Sequence, residues 1–269
     1  MLEELPPERF GELIPLYEEV GGMFPIIRAV LEGGQRGQVF ASADRGCAFI
    51  VNGFGFARLL ERDGGAHDDQ LLAMLSAPGP IRPSYILWYD PPARWQERLR
   101  TFENIRVRER LRYDFRLQRA AYVDDAEQLP AGSELHMVDA ALLPKAEKFG
   151  LALDSRFWSS AEDFVANALP VAVVQGGEIA SLCYAAAVGG NLAEVDVVTD
   201  EAIRGAGLGS MAARQFVREC VRRGITPAWD CFTYNQGSMK LAEKLGFVPL
   251  TTYNFYTFNI PVAAARGNG

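Results

Sequence analysis

Arg204 stands directly before a turn in which Gly205, Gly207 and Gly209 alternate with other residues. An apolar, β-branched stretch, "AEVDVVT", precedes this turn, and a helical pattern of apolar residues follows it. The start of a helix offers unpaired backbone N–H groups and the positive end of the helix dipole, and both favour a bound anion. Glycine lets a phosphate approach the backbone closely, and Arg204 adds a charged donor. These residues therefore predict a phosphate site.

Two other interpretations of the turn stay open when its spacing is considered alone. In a dinucleotide-binding turn, Gly205 and Gly207 would begin a G-x-G-x-x-G pattern, and Asp230 would lie where a ribose-binding acid can sit. Ser210 at the third glycine position and the hairpin pattern before the turn disfavour this interpretation. In a purely structural turn, the glycines would serve only a tight connection between strand and helix.

A second motif follows one strand later, and the two together are more specific than either alone. Arg204, Gly207 and Gly209 form Arg-x-x-Gly-x-Gly, and Asn235-x-x-Ser238 then runs into "LAEKLGF". In this order and spacing the motifs resemble those of the GNAT superfamily of acyl-CoA N-acyltransferases. The segments "TPAWDCFTYN" and "FWSSAEDF" are similar to a bacterial subgroup called GNAT acetyltransferases. The resemblance covers roughly residues 125–258 and is weak or absent before them.

The resemblance implies acetyl-CoA as the cofactor and a set of residues that would bind it. The amides of the glycine turn would hold the pyrophosphate, and the backbone of the preceding strand would align the pantetheine arm. An amide of that strand, assigned to Val198, would polarise the thioester carbonyl. The expected cofactor-binding residues are Val197, Val198, Thr199, Arg204, Gly205, Ala206, Gly207, Leu208, Gly209, Ser210, Asn235 and Ser238.

Acyl transfer to an amine also needs a group that accepts a proton. Only about one alkylamine in a thousand is neutral at physiological pH. Many GNAT enzymes have a glutamate on the strand before the turn, and Glu194 stands there with Asp196 on the same strand face. Both are catalytic candidates, with a solvated or salt-bridged sheet face as the structural alternative. The usual acid, a tyrosine, is replaced by Ala242, and Tyr234 is the candidate substitute.

Two aromatic residues are candidates for contact with the acceptor. Phe157 and Trp158 precede a helix that often forms the acceptor wall in GNAT proteins. Packing of this pair beneath the helix, as a hydrophobic staple, is the structural alternative.

The elements that must position these residues form an α/β (α+β) pattern. Residues 171–199 are predicted to form three consecutive strands with turns at Gly176–Gly177 and Gly189–Gly190. A helix over 208–223, a strand over 226–233, a helix over 238–246 and a strand over 251–260 follow. This pattern fits a GNAT fold, in which helices flank a central mixed, mostly antiparallel sheet. Two further helices are predicted over 139–149 and 159–169, the second capped by Ser159 or Ser160.

A polar stretch over 124–134 is the predicted domain boundary. It separates an N-terminal α/β accessory domain, 1–123, from a catalytic domain, 124–269. The first half is rich in strands but contains no phosphate loop, so a degenerate copy of the same fold is an alternative for it. Its arginine-rich runs, "RWQERLR" and "RVRERLR", are typical of solvated faces, with an interaction surface as the alternative.

The composition limits which classes of binding partner are expected. The net charge of −7 argues against a broad nucleic-acid-binding face, and no apolar run approaches the roughly 20 residues that cross a membrane. We expect no signal peptide and a cytoplasmic location. Four widely spaced cysteines and two histidines predict buried free thiols and no metal site.

The sequence therefore predicts an acetyl-CoA-dependent N-acetyltransferase that transfers directly to a primary amine of a small molecule. A homodimer is compatible with this prediction. The alternative function is a non-catalytic module that binds acyl-CoA as a sensor, which the loss of the usual acid at Ala242 favours.

Overall fold

The computed structural model describes residues 1–116, 129–151, 153 and 157–261. The chain divides into two compact units: unit 1 comprises Met1–Glu109 with Tyr253–Gly269, and unit 2 comprises Arg110–Thr252. The sequence placed its boundary between 123 and 124 instead, and gave the C-terminal strand to the second domain. The two divisions differ because two long strands, Arg106–Phe115 and Phe247–Asn259, each begin in one unit and end in the other.

Unit 1 begins with a short strand and a run of 3₁₀, α and π turns, followed by alternating strands and helices. Its elements are β1 (Leu2–Glu4), the turns Pro7–Leu13, Ile14–Leu16 and Tyr17–Gly21, α1 (Pro25–Leu31), β2 (Gly37–Ser42), β3 (Cys47–Asn52), β4 (Phe56–Glu61), α2 (Asp68–Ser76), β5 (Tyr85–Tyr89) and α3 (Trp95–Leu99). Strands β1 to β4 are antiparallel neighbours, and β5 then pairs parallel to β4. The C-terminal part of the last strand closes this sheet against β5, and the core contains Phe49, Trp88 and Trp95.

Unit 2 repeats the same strand order. Its elements are the second part of β6 (Arg106–Phe115), β7 (Ser133–Met137), a 3₁₀ helix (Leu143–Phe149), α4 (Ala161–Asn167), β8 (Val171–Gln175), β9 (Glu178–Gly189), β10 (Leu192–Thr199), α5 (Leu208–Arg222), β11 (Thr226–Phe232), α6 (Gln236–Lys244) and the first part of β12 (Phe247–Asn259). Strands β7 to β10 are antiparallel neighbours, β11 is parallel to β10, and β6 closes the sheet against β11. The mixed, mostly antiparallel sheet with flanking helices is confirmed, and the first half has the same fold, as the alternative proposed.

Local sequence explains the elements that lead to the glycine turn. The β8–β9 hairpin turns at Gly176 and Gly177, whose φ angles of 57° and 81° are the positive values that a two-residue turn requires. The β9–β10 hairpin turns one residue later than predicted, at Gly190 and Asn191, both with positive φ. Helix α4 begins at its N-cap Ser160, whose side chain accepts a hydrogen bond from the Asp163 amide.

Two elements of unit 2 differ from the prediction. The predicted helix over 139–149 is a shorter 3₁₀ helix, Leu143–Phe149, with Pro144 in its first turn. Strand β7 was not predicted, because this edge strand is short and largely exposed and lacks an apolar alternation. The four cysteines are free and buried, as predicted. None of the described helices is long and apolar enough to cross a membrane.

Candidate functional site

A cleft opens in unit 2 where two parallel strands separate. Strands β10 and β11 are paired from Leu192 and Thr226 to Glu194 and Ala228, and beyond this point they diverge. The cleft has a volume of about 740 Å³. Its described lining comes from β6, the end of β10, the glycine turn, the end of β11 and the start of α6, and includes Arg110, Val195–Thr199, Gly207–Ser210, Trp229–Phe232, Asn235 and Ser238.

The glycines of the turn are required for two different reasons. Gly205 and Gly207 have φ angles of 87° and 80°, a backbone conformation that other residues adopt only with strain. Gly209 has an ordinary φ but packs closely, since an added Cβ would lie 2.9 Å from Thr199 Oγ1. The first pair therefore shapes the turn, and the third glycine lets α5 start directly against β10.

The turn leaves a group of hydrogen-bond donors facing the cleft. The N-cap of α5 is Gly207, which has no side chain to cap the helix. The first intrahelical bond recorded runs from Met211 N–H to the Gly207 carbonyl, so the amides of Leu208, Gly209 and Ser210 lack helical acceptors. Ser210 Oγ is also buried and has no hydrogen-bond partner among the residues that the structure describes. These donors fit a phosphate group, and Arg204, which is 60% exposed at the same turn and forms an ion pair with the exposed Glu201 at 3.1 Å, adds a positive charge.

The backbone of β10 presents alternate amides to the cleft. The Asp200 amide donates to the Ala180 carbonyl of the neighbouring strand segment, 3.0 Å away. Because backbone groups alternate in direction along a strand, the Val198 amide also points to β9, whereas those of Val197 and Thr199 point away from it. The Val198 amide, which the resemblance assigned to the thioester carbonyl, therefore belongs to the sheet ladder. The structure places the Val197 amide at the separated edge instead.

Glu194 lies at the closed end of the cleft and is buried. It belongs to the last residue pair before the strands separate, and the described cleft lining begins at the next residue, Val195. Arg112 Nη1 donates to both Glu194 carboxylate oxygens, at 2.9 and 2.8 Å. Burial raises the pKa of Glu194 to about 7, the charge of Arg112 opposes this rise, and the charge of Asp230 adds to it. Glu194 can therefore change protonation near neutral pH.

Asp196 lies one pleat further along the same strand face and lines the cleft. Its carboxylate accepts a hydrogen bond from Tyr184 Oη at 2.7 Å. Within the described ranges, no lysine, arginine or histidine forms an ion pair with it. The two carboxylates that the sequence grouped together thus have different surroundings, one paired with a buried arginine and one facing the cleft.

The comparisons with known proteins identify the family of the chain. The family model for GNAT acetyltransferases matches residues 22–256 of the chain. The chain belongs to this family. GNAT acetyltransferases are N-acetyltransferases that use acetyl-CoA, and the family match extends through both units.

One curated relative is similar to part of this GNAT chain, and solved structures are similar to it in fold. The chain is 36% identical over 129 residues to YdfB of Bacillus subtilis, named an uncharacterised N-acetyltransferase; this match covers 48% of the chain and 49% of that relative. The chain thus spans about half the length of the curated relative it matches. A GCN5-related N-acetyltransferase-like protein from Streptococcus suis has a similar structure, with a TM-score of 0.70 and 23% identity over 93% of this chain and all of that one. A tandem GNAT protein from the clavulanic acid biosynthesis pathway has a TM-score of 0.61 and 17% identity over 98% of this chain and all of that one.

The second GNAT motif lies at the other side of the cleft. Asn235 caps α6 by accepting a hydrogen bond from the Ser238 amide at 3.1 Å through Oδ1, so its side-chain NH₂ group is not used in the cap. Ser238 Oγ accepts a hydrogen bond from Trp229 Nε1 at 3.0 Å. Both residues line the cleft. Ala242, at the usual position of the acid, is fully buried in α6.

Five predicted site residues lie outside the described cleft lining: Glu194, which lies at its closed end, and four others. Tyr234 is 64% exposed and stacks on Phe232 with ring centroids 5.1 Å apart. Ala206 belongs to the turn but does not line the cleft. Phe157 and Trp158 are buried, and Trp158 Nε1 donates to the Ala185 carbonyl at 3.1 Å. Their packing matches the structural alternative, and contact with an acceptor stays a prediction.

The sequence missed two arginines of the site. Arg110 and Arg112 belong to "RVRERLR", which was interpreted as a solvated face, yet both approach buried carboxylates. They occupy a central strand, where they alternate with the buried Leu111 and Tyr113. The signal that could have found them is indirect: Glu194 and Asp230 are carboxylates in otherwise apolar strands, and buried carboxylates need cations.

Proposed function

We propose that this chain is an acetyl-CoA-dependent N-acetyltransferase that acts on a primary amine of a small molecule. The observation that carries the proposal is the cluster of unpaired donors at the start of α5, which faces a cleft between two separating parallel strands. The donors fit a pyrophosphate, and the cleft offers a separated strand edge next to them.

The donor side of the cleft would be held by backbone groups. The amides of Gly207 to Ser210 and the side chains of Ser210 and Arg204 would bind the pyrophosphate, while the Val197 and Thr199 amides would align the pantetheine arm. Bound there, acetyl-CoA supplies an acetyl thioester. The Val197 amide would donate to the thioester oxygen, where negative charge grows during attack.

The acceptor amine must lose a proton before its nitrogen can attack. Asp196, with its carboxylate at the cleft wall, would bind the ammonium form. Glu194, one pleat deeper, would accept the proton through water and pass it to solvent after transfer. In the balanced reaction the N–C bond forms, the C–S bond breaks, the acceptor ammonium loses two protons, and the departing thiolate takes up one of them. The net release is one proton.

The thiolate leaves without the usual tyrosine, since that position holds Ala242. Asn235 lines the cleft, and its side-chain NH₂ group would stabilise the sulfur. Tyr234 is the candidate acid, and its exposed ring would have to turn toward the cleft. Burial raises the pKa of the Cys231 thiol, which disfavours a covalent acyl-enzyme on that residue and supports direct transfer in a ternary complex.

A second candidate function is a sensor that binds acyl-CoA without turnover. Two observations favour it: Ala242 at the acid position, and the ion pair that holds Glu194. The N-acetyltransferase would transfer the acetyl group of bound acetyl-CoA to an amine, whereas the sensor would leave the bound thioester intact.

The test mixes purified protein with acetyl-CoA and a panel of small-molecule amines, and measures free thiol and acetylated product. The proposal predicts stoichiometric thiol and acetyl-amine with at least one acceptor. Binding of acetyl-CoA without product from any amine would support the sensor, and absence of binding would contradict both.

A further inference from the structure

The buried charges at the closed end of the cleft form one cluster of two arginines and two carboxylates. Arg112 contacts both carboxylates: it holds Glu194 through Nη1, and its Nη2 lies 2.8 Å from Asp230 Oδ2. Arg110 forms an ion pair with the same Asp230. The side chains of Arg112 and Asp230 are 2% and 0% exposed, so neither charge has water to replace its partner.

We propose that Arg112 is a positioning residue for Glu194: it fixes this carboxylate at the point where β10 and β11 separate and keeps it ionised until an acceptor amine supplies a proton. The inference rests on the proposed function, because it gives Arg112 a part in the same proton transfer.

The register of the strands explains how an arginine of β6 reaches β10. Arg112 lies opposite Asp230 on β11, and Glu194 lies opposite Ala228, two residues earlier on β11. The side chains of these four residues, Arg112, Asp230, Glu194 and Ala228, therefore share one face of the sheet. Ala228 is small and buried, which leaves room for the arginine to cross over β11. A larger residue at this position would separate Arg112 from Glu194.

Within the cluster, Arg112 is the cation that forms an ion pair with Glu194. Arg110 forms its ion pair with Asp230 and acts on Glu194 through its charge alone, which lowers the pKa of that carboxyl. Removal of Arg112 would therefore leave Glu194 without a direct ion-pair partner among the described residues. A buried carboxylate without its cation favours the protonated form, which cannot accept a proton. Arg112 therefore decides at which pH Glu194 becomes available.

Other groups near Glu194 do not replace this cation. On the same sheet face, β9 presents the buried Tyr184, which donates to Asp196. Helix α4 packs its Phe164 on Tyr184 and carries only the carboxylates Glu162 and Asp163.

Helix α5 contains the buried Arg214 but begins on the opposite face, since Gly209 lies against Thr199 and Val197. No described element other than β6 therefore places an arginine or lysine against this carboxylate.

The experiment follows the Glu194 carboxyl by ¹³C NMR across pH, assigned by its loss in Glu194→Gln, and records the pH–rate profile in parallel. Wild-type protein should titrate at Glu194 near pH 7. Arg112→Met should move this titration and the acidic limb of kcat upward by about one unit or more. Arg112→Lys should restore most of the shift, while Arg106→Met, an exposed arginine of the same strand, should move neither.

The outcomes separate the inference from the proposed function. An unmoved Glu194 titration in folded Arg112→Met would overturn the inference, whether or not the protein turns over. If Arg112→Met does not fold, Arg112→Lys decides: an acidic limb near the wild-type position with kcat reduced about tenfold supports positioning, and unchanged kcat overturns it. Wild-type protein that acetylates amines while Glu194→Gln keeps the same acidic limb would sink the inference and leave the function standing. Absence of turnover would sink the function, and the NMR titration would still decide the pairing.

Discussion

The two units have the same strand order but differ at the junction between the fourth strand of their sheets, β4 or β10, and the helix that follows it. In unit 2, β10 leads through glycines into α5, whose N-cap Gly207 leaves the first amides of the helix without acceptors. In unit 1, β4 leads into α2, whose first turn carries Asp68 and Asp69. The helix start that faces a cleft in unit 2 has carboxylates of the chain itself in unit 1.

The junction of unit 1 is also closed by an arginine. Arg94 forms ion pairs with Asp68 and Glu61 and lies against the turn, where an added Cβ at Gly64 would be 3.2 Å from its Nη1. Trp95 Nε1 donates to Asp68 as well, at 3.0 Å. An anion approaching this turn would meet two carboxylates whose cation is already taken.

The gap beyond the last paired residues of the two parallel strands also differs between the units. In unit 1 the pairing of β4 and β5 ends at Ala57 and Trp88, and the next residue, Arg58, donates to the Tyr89 carbonyl at 3.1 Å. In unit 2 the pairing ends at Glu194 and is followed by Val195 and the open cleft. The same strand order can thus form a scaffold or a binding site, depending on the side chains at the strand–helix junction and in the gap between the parallel strands.

The largest expected effect concerns Glu194, the last residue of β10 that pairs with β11. The last residue of β4 that pairs with β5 in unit 1 is Ala57, which has no carboxylate. Glu194→Gln should lower kcat/KM for the acceptor by about 10²–10⁴-fold, the usual contribution of a general base, without changing acetyl-CoA affinity. Because the base must be deprotonated and burial raises its pKa to about 7, the wild-type rate should rise with pH through neutrality. The exposed Glu178→Gln serves as the control, and unchanged kinetics in Glu194→Gln would contradict the assignment.

A charge placed in the glycine turn should make unit 2 behave like unit 1. Gly207→Asp should weaken acetyl-CoA binding by about 100-fold, or about 2.7 kcal/mol, because a carboxylate would repel the pyrophosphate at the helix start. Gly65→Asp is the matched control, since Gly65 has a similar φ of 95° in the turn of unit 1. Titration calorimetry measures both, and an equal loss in the two variants would remove the distinction between the units.

The cleft carboxylate should affect the acceptor rather than the donor. Asp196→Asn removes the negative charge that faces the cleft but keeps an oxygen that can accept from Tyr184 Oη. We expect KM for a cationic acceptor to rise about tenfold, equivalent to about 1.4 kcal/mol, with acetyl-CoA affinity unchanged. Steady-state kinetics with both substrates varied would reveal the opposite pattern, a loss confined to acetyl-CoA, if the assignment is wrong.

The smallest expected effect on binding comes from opening the junction of unit 1. Arg94→Met leaves the buried Asp68 without its cation, at a cost of about 2 kcal/mol, so Tm should fall by roughly 4–8 °C. Acetyl-CoA binding should not change. Arg100→Met, at an exposed arginine, is the control for Tm. Loss of acetyl-CoA binding in Arg94→Met would show that unit 1 takes part in the site.

Local patterns in the sequence were sufficient for the elements that carry the donor site. The Gly176–Gly177 hairpin, the glycine turn and the amphipathic period of α5 each depend on residues close in the chain. The turn at Gly190–Asn191 was misplaced by one residue because Asn, like Gly, adopts positive φ.

Long-range pairing determined what the sequence could not reveal. The compact units differ from the predicted domains because β6 and β12 pair beyond the predicted boundary, which no local pattern reports. Arg112 resembled a surface arginine because its partner Glu194 is 82 residues away. The direction of the Val198 amide depends on the register with β9, and that register also lies outside the local sequence.

Amide hydrogen exchange with and without saturating acetyl-CoA tests the central claim most directly, because it reads the donors at both junctions of the same chain. The account predicts slower exchange at Gly207–Ser210 on binding and unchanged exchange over residues 62–69. Protection over residues 62–69, or none at Gly207–Ser210 while acetyl-CoA is bound, would contradict it.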